Sequence, residues 1–261
     1  MQQLLQDVIV LVKETGNFIR EEAQKFNSSK IEYKGKNDLV SYVDKEAEKR
    51  LVKGLSEILP GSGFIAEEGT STKKSDSYNW IIDPLDGTTN FIHGLPIYCI
   101  SVALLKRKEL ALGVVYEVNR DECFHASKGE GAFLNHVPIK VSEGKTFEES
   151  LLATGFPYYD FEQMNKYLKI LNDFMQNTHG LRRMGSAAID LAYTACGRFE
   201  GFFEYNLNAW DVAAGALIVQ EAGGKVTDFK GGNDFLFGRE IVAGNATQPQ
   251  QLKLIQKHWK N

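Results

Sequence analysis

The stretch Trp80-Ile81-Ile82-Asp83-Pro84-Leu85-Asp86-Gly87-Thr88-Thr89-Asn90 joins an apolar segment to two carboxylates and a Gly-Thr-Thr turn. The apolar residues predict a buried strand. Pro84 should end it, because proline has no N–H to donate to a sheet. Asp83 and Asp86 are then held close together on a turn, and close carboxylates repel each other unless a cation lies between them. Magnesium is the usual cation where phosphate is handled, so the stretch predicts a metal-dependent phosphoryl site.

The composition is that of an ordinary soluble enzyme. The chain has 261 residues, of which 43% are hydrophobic and 25% charged, so it can form a large core and is neither disordered nor membrane-like. A net charge of −4 argues against a nucleic-acid partner. The sequence has no apolar run long enough to span a bilayer and no signal-peptide pattern, so a membrane partner is not expected. The three cysteines are widely spaced, which predicts reduced thiols and a cytoplasmic location.

Hydrophobic periodicity predicts alternating helices and strands in the first half of the chain. A long amphipathic helix is expected over residues 3–26. A second helix, capped by Asn37 or Asp38 and already containing Val40, is expected to end at Pro60-Gly61. Closely spaced strand patterns follow and predict an antiparallel sheet; they cover residues 63–67, 78–83, 98–105, 110–118 and 122–127.

The second half is expected to start near residue 146 and to mix strands with helices more evenly. Together the elements predict an α+β chain with helix layers on sheets. We expect the halves 1–145 and 146–261 to pack as one compact unit. The strand patterns cover residues 151–155, 198–205, 225–229 and 240–243; the helix patterns cover 160–175, 186–196, 210–223 and the segment from 250 onward.

Three further acids stand at informative places. Glu67 ends a strand-like segment, although a single glutamate there is better interpreted as a solvated loop residue. Asp211 opens an apolar helix; a favourable charge at a helix start explains the acid but not the small residues that follow it. Asp44 lies on the buried stripe of its helix and therefore needs a partner, such as a hydroxyl or a cation.

The acid spacing also argues against a covalent mechanism. Phosphatases with an aspartyl nucleophile separate their two acids by one residue, whereas Pro84 and Leu85 both intervene here. The sequence contains no Gly-x-Ser-x-Gly motif and no cysteine in a glycine-rich, electropositive loop, so serine and cysteine nucleophiles lack support as well. Two metal ligands on one turn are the favoured interpretation.

Four segments together resemble the inositol monophosphatase family, within the superfamily that includes fructose-1,6-bisphosphatases. They are Ile65-Ala66-Glu67-Glu68, Trp80 to Asn90, Gly185-Ser186-Ala187-Ala188 and Trp210-Asp211-Val212-Ala213-Ala214-Gly215. The resemblance covers nearly the whole chain, and its one evident departure is Ala66, where many relatives have glycine. It implies a layered α-β-α-β-α sandwich of the sugar-phosphatase type, with a mostly antiparallel N-terminal sheet.

The resemblance implies a site for two to three magnesium ions. Hard oxygen ligands of this kind suit magnesium. Water activated by the bound metal is expected to attack phosphorus directly, without a phospho-enzyme, and lithium is expected to inhibit. The implied ligands are Glu67, Asp83 and the Leu85 carbonyl for the first ion, Asp83, Asp86 and Asp211 for the second, and Glu67 for a weaker third.

The same resemblance implies how the substrate is held. Thr88, oriented by Asp44, is expected to position the attacking water or to accept its proton, so Thr88, Asp44 and Glu67 form the expected catalytic set. Amides of Gly87 and Thr88 are expected to hold the phosphate. The hydroxyls of the alcohol are expected to contact Gly185, Ser186, Ala187, Glu204 and Asp211.

The physiological substrate is the open question. The match of Glu204 to the family's position favours an inositol monophosphate. From its spacing alone, Glu204 is almost equally well explained as an acid at a strand end that faces solvent. The lack of an obvious basic pocket argues against other sugar phosphates such as fructose 1,6-bisphosphate, and against NADP or 3'-phosphoadenosine nucleotides; Arg182 and Arg183 keep these alternatives open. Family resemblance also predicts a homodimer. A hypothesis from another class of function is that the protein interacts with the transcription machinery and has only vestigial or secondary phosphatase activity.

Overall fold

The structure is a computed structural model that describes residues 1–26, 31–33, 39–158 and 160–259. These ranges contain seven helices: α1 (Gln2–Ala23), α2 (Tyr42–Ile58), α3 (Thr88–Ile92), α4 (Met164–Asn177), α5 (Ala187–Ala195), α6 (Ala209–Glu221) and α7 (Gln248–His258). They also contain fourteen strands: β1 (Ile31–Tyr33), β2 (Leu39–Ser41), β3 (Gly63–Ala66), β4 (Tyr78–Asp86), β5 (Cys99–Lys106), β6 (Glu109–Glu117), β7 (Glu122–Ser127), β8 (Ala132–Leu134), β9 (Val137–Ile139), β10 (Leu151–Thr154), β11 (Gly180–Arg182), β12 (Gly201–Tyr205), β13 (Lys225–Thr227) and β14 (Glu240–Gly244). None of the helices within the described ranges combines the length and apolarity needed to cross a membrane.

The larger sheet has seven strands in the order β3-β4-β5-β6-β7-β8-β9. Strand β3 runs parallel to β4, and all the other neighbouring pairs are antiparallel. The prediction of a mostly antiparallel N-terminal sheet is therefore confirmed, but the sheet is mixed: the expectation that the strand at 63–67 would also pair antiparallel is wrong. The parallel pair arises because residues 67–77 carry the chain back to the end of the sheet from which β3 started.

Helices cover both faces of the larger sheet. Helices α1 and α2 pack on one face, around buried residues that include Trp80 and Tyr116. Helices α5 and α6 pack on the other face. Small residues permit close approach there: a Cβ on Gly113 of β6 would lie 2.8 Å from the Ala214 carbonyl oxygen. Helix α6, with Asp211 in its first turn, is therefore seated directly on the sheet.

The smaller sheet has five strands in the order β11-β10-β12-β14-β13. Its outer face packs against α4 and α7 through a core that contains Tyr167, Phe174 and Phe203. Its inner face meets α5 and α6, so those two helices lie between the sheets. The predicted α-β-α-β-α sandwich is confirmed, whereas the division of the chain at residue 145 stays a prediction.

The second helix begins later than the sequence analysis expected. Asn37 and Asp38, the expected caps, lie outside the described residues, and Val40 belongs to strand β2. Ser41 is the N-cap of α2: its hydroxyl accepts a hydrogen bond from the Val43 amide, and its own amide donates to Asp44. This reciprocal capping satisfies amides that the helix itself leaves unpaired.

Strand β4 also runs further than expected, through Pro84 to Asp86. The expectation that Pro84 would end the strand is wrong, because the pairing with β5 shifts register between Asp83 and Asp86. A proline is tolerated at such a bulge, where no ladder hydrogen bond is needed from its nitrogen. The bulge places both acids within the last four residues of a mostly buried strand instead of on a separate turn.

Candidate active site

A cavity of about 380 Å³ opens beside the end of β4 and the first turns of α5 and α6. Its size lies within the range of about 300–1,000 Å³ that small-molecule ligands occupy. Asp44, among the predicted site residues, is outside the cavity wall and lies behind Thr88. The wall contains all the others: Glu67, Asp83, Leu85, Asp86, Gly87, Thr88, Gly185, Ser186, Ala187, Glu204 and Asp211.

Four acids in this wall interact electrostatically. Burial raises the pKa of Asp83 well above its ordinary value, and the neighbouring charges of Glu67, Asp86 and Asp211 raise it further. Burial also raises the pKa of Asp211, with Asp86 as the next cause. Such mutual repulsion is relieved when a cation lies among the carboxylates.

Local hydrogen bonds orient three of the acids. Asp83 Oδ1 accepts from the Leu85 amide at 2.9 Å, and Asp211 Oδ2 accepts from the Asn208 amide at 2.6 Å. Asp86 Oδ2 accepts from the Ser186 hydroxyl and the Ala188 amide at the start of α5. Each carboxylate has a second oxygen that can take another ligand. Over the described part of the chain, no three His, Cys, Asp or Glu side chains converge in a metal-binding geometry.

The start of α5 is bound to Asp86. Ser186 caps the helix and donates its hydroxyl hydrogen to Asp86 Oδ2 at 2.7 Å, and the Ala188 amide donates to the same oxygen at 2.7 Å. Burial nevertheless raises the pKa of Asp86 to about 6. Gly185, just before the cap, has φ +92°, a left-handed conformation that favours glycine. These contacts join the end of β4 to the segment from Gly185 to Ala187.

Thr88 and Asp44 form a second contact between distant segments. The Thr88 hydroxyl lies 2.7 Å from Asp44 Oδ1 and 3.0 Å from the Leu85 carbonyl oxygen, and it donates its one hydrogen to this pair of acceptors. The other Asp44 oxygen accepts from the amide and hydroxyl of Ser41. Asp44 is buried, and burial raises its pKa while the Ser41 and Thr88 hydrogen bonds lower it. A Thr88 hydroxyl that donates its hydrogen to these acceptors keeps its oxygen lone pairs for a ligand in the cavity.

Glu204 lies in the cavity wall at the end of β12 and is 8% exposed, so it does not face bulk solvent. Burial raises its pKa to about 8. Its carboxyl group is packed against Gly155, where a Cβ would lie 2.1 Å from Glu204 Oε2. Only glycine leaves room for Glu204 in this position.

Nearly the whole length of this chain matches a known family. The inositol monophosphatase family model matches residues 1–260. The chain belongs to the inositol monophosphatase family. A protein named putative Nus factor SuhB, from Neisseria meningitidis serogroup B, is 45% identical to this chain. The match covers 99% of this chain and 100% of that protein. An inositol-1-monophosphatase from Mesorhizobium japonicum is 38% identical over 97% of this chain and 96% of that protein.

A solved structure agrees with this family assignment. The crystal structure of the extragenic suppressor protein suhB from Bartonella henselae matches with a TM-score of 0.92 at 38% identity, covering 98% of this chain and 99% of that chain. The inositol monophosphatase fold therefore extends over both sheets and all three helix layers.

Two further residues lie in the cavity wall but were not among the predicted site residues. Asp190 of α5 is 1% exposed, and its Oδ1 has no hydrogen-bond partner among the described residues. Arg183, named only as a residue that could contact a second phosphate, donates to the Tyr158 hydroxyl at 2.8 Å. Its charge lowers the pKa of Asp190 and Glu204, against larger increases from burial. The sequence feature that could have revealed Asp190 is an acid on the buried face of a predicted helix.

Proposed function

We propose that this protein hydrolyses inositol monophosphates to inositol and phosphate with the help of magnesium. The observation that carries the proposal is the grouping, in one cavity, of four interacting acids with Thr88 and Glu204. Family membership supports a phosphatase. The name of the Mesorhizobium relative supports inositol monophosphate as the substrate.

Magnesium fits the chemistry of the donor set, which consists of Glu67, Asp83, Asp86, Asp211 and the Leu85 carbonyl. All are hard oxygen ligands. The pKa of Asp83 is raised first by burial and then by the neighbouring charges of Glu67, Asp86 and Asp211, which a cation would neutralise. We propose that these side chains turn towards bound ions, two to three in number. When bound, magnesium supplies charge neutralisation and a water of lowered pKa.

The protein's own residues are proposed to place the attacking water and the phosphate. Thr88 donates its hydroxyl hydrogen away from the cavity, towards Asp44, so its oxygen can accept a hydrogen bond from a water. Asp44 in turn is held by Ser41 and cannot rotate away without losing two hydrogen bonds. The amides of Gly87 and Thr88 are proposed to hold the phosphate, and Glu67 completes the catalytic set.

The alcohol is proposed to be a polyol bearing free hydroxyls, which contact Gly185, Ser186, Ala187, Glu204 and Asp211. With a pKa of about 8, Glu204 is protonated at neutral pH and can both donate to and accept from a hydroxyl. A second phosphate would instead meet two buried acids, Asp190 and Glu204. Arg183, the cation in this wall, is already bound to Tyr158. These contacts favour inositol over bisphosphate substrates.

A second candidate function is interaction with the transcription machinery. It is favoured by the name Nus factor carried by the relative from Neisseria meningitidis. We also propose a homodimer on the family's pattern and a cytoplasmic location, in line with the free state of Cys99, Cys123 and Cys196. A monomer mass in analytical ultracentrifugation would refute the dimer.

The catalytic proposal is tested by phosphate release from inositol 1-phosphate with and without magnesium. We expect Asp211→Asn to abolish most activity and the exposed control Asp76→Asn to leave it unchanged. Lithium should inhibit the wild type. A wild type that is inert towards inositol, sugar and nucleotide phosphates at saturating magnesium would refute the phosphatase and leave the interaction role.

A further inference from the structure

Helix α2 carries two buried acids one turn apart, Asp44 and Glu48. Asp44 binds Thr88, whereas Glu48 binds the loop that follows β3. Its Oε2 accepts from the Glu68 amide at 2.7 Å, and its Oε1 accepts from the Thr70 amide at 2.7 Å. Glu48 is 0% exposed. Glu48 lies outside the cavity wall.

The two hydrogen bonds act directly beside the cavity acid Glu67. Its own amide donates to the Ile82 carbonyl oxygen at 3.2 Å, which joins the loop to β4. The next amide, of Glu68, is one of the two held by Glu48. The backbone at Glu67 is thus held on one side by the sheet and on the other by a buried carboxylate of helix α2.

Burying the Glu48 carboxylate costs free energy unless its oxygens are hydrogen-bonded. A buried carboxylate needs hydrogen bonds or a cation. Within the described ranges, Glu48 has no ion-pair contact with a lysine, arginine or histidine. The two amides therefore meet the demand of both carboxylate oxygens, and short bonds to a carboxylate are stronger than neutral ones. Residues 68–70 cannot move without leaving Glu48 unsatisfied.

We propose that Glu48 is a positioning residue that fixes the Glu67 carboxylate for metal binding. The inference rests on the proposed magnesium-dependent function, in which Glu67 is a ligand. Helix α2 then orients two parts of the site at once, the Thr88 hydroxyl through Asp44 and the Glu67 carboxylate through Glu48. Residues that hold a ligand from behind typically contribute 10- to 100-fold in metal affinity or activity.

The test is magnesium binding to purified Glu48→Gln protein, measured by titration calorimetry. Glutamine has nearly the same shape, but its NH₂ group faces one of the two amides, so one hydrogen bond is lost. We expect about 10-fold weaker binding of magnesium. A matching rise is expected in the magnesium concentration that gives half-maximal activity. The KM for inositol 1-phosphate at saturating magnesium should be unchanged.

The control is Glu46→Gln on the same helix, where the acid is partly exposed and paired with Arg50. It should leave magnesium binding as in the wild type. Glu48→Ala should weaken binding more than Glu48→Gln, because it removes both acceptors. Wild-type magnesium affinity in a folded Glu48→Gln protein, with only a lowered melting temperature, would overturn the positioning role. A wild type that binds no magnesium would instead overturn the proposed function itself.

Discussion

Replacing Gly155 by alanine is expected to displace Glu204 without touching the acids proposed to bind metal. Strand β10 ends at Thr154, which pairs with Phe203 of β12, so Gly155 and Glu204 are the next neighbours across the two strands. The sheet holds both backbones, and Gly155 is not among the residues with positive φ, so alanine fits its backbone. The new methyl group must therefore be accommodated by the Glu204 side chain.

The size of the effect follows from the geometry. The new Cβ would lie 2.1 Å from Glu204 Oε2, whereas ordinary contact begins at 3.4 Å, so the carboxyl group must retreat by about 1.3 Å (3.4 minus 2.1). A retreat of that size would break the hydrogen bonds that we propose between Glu204 and the substrate's hydroxyls. Two such bonds, each about 0.5–1.5 kcal/mol, correspond to roughly a 5- to 140-fold rise in KM for inositol 1-phosphate.

The assay compares two substrates. The KM for inositol 1-phosphate should rise, whereas 4-nitrophenyl phosphate, whose alcohol has no hydroxyls for Glu204, should keep its kcat and KM within about twofold. A double-mutant cycle with Glu204→Ala adds a check, because Gly155→Ala should have little further effect once the carboxyl group is gone. An unchanged KM for inositol 1-phosphate in the single variant would show that Glu204 does not bind the alcohol.

Three further predictions concern single side chains. Thr88→Ala should lower kcat about 100- to 10,000-fold with little change in KM, and Thr88→Ser should retain most activity; equal losses in both variants in steady-state assays would contradict a role of the hydroxyl. Burial, with help from His136 and Lys13, lowers the pKa of His125 from 6.5 to about 4, so the unfolded chain binds the extra proton first as pH falls. The free energy of unfolding in urea should therefore drop by about 2 kcal/mol more between pH 8 and pH 5 in the wild type than in His125→Phe, and equal pH dependence would refute the buried neutral state. Asp190→Leu should raise the free energy of unfolding by about 1–3 kcal/mol, because it removes a buried unpaired oxygen, and a destabilised variant would argue against that account.

Local patterns in the sequence were sufficient for most of the secondary structure. Helix α6 was expected to begin at about Trp210 and begins at Ala209, and strand β10 was expected over 151–155 and ends at Thr154. Long periodic segments bury one face in any compact fold, so their pattern reports their structure directly. Strands β1, β2, β8, β9 and β11 were not predicted, because each has three residues, too few to show a period. Strand β13 is equally short and was predicted only as part of the longer pattern 225–229.

In the candidate site as well, some residues could be predicted from local sequence patterns and others could not. Glu67, Asp83, Asp86 and Asp211 were found from strand ends, a helix start and a family motif, all of which are local features. Gly155 carries no local signal, because its importance lies in the space it leaves for Glu204, 49 residues later in the chain. Its role becomes visible only when β10 and β12 are neighbours.

The sequence by itself determined which residue types are available and which segments are helix or strand, since both depend on neighbours within a few positions. It determined the family as well, because the motif residues occur in a fixed order. Only the tertiary structure decided which groups touch: Asp44 meets Thr88 across 44 residues, and Ser186 meets Asp86 across 100. Hydrogen bonds and charge repulsion act over a few ångströms of space, and distance along the chain does not report that separation.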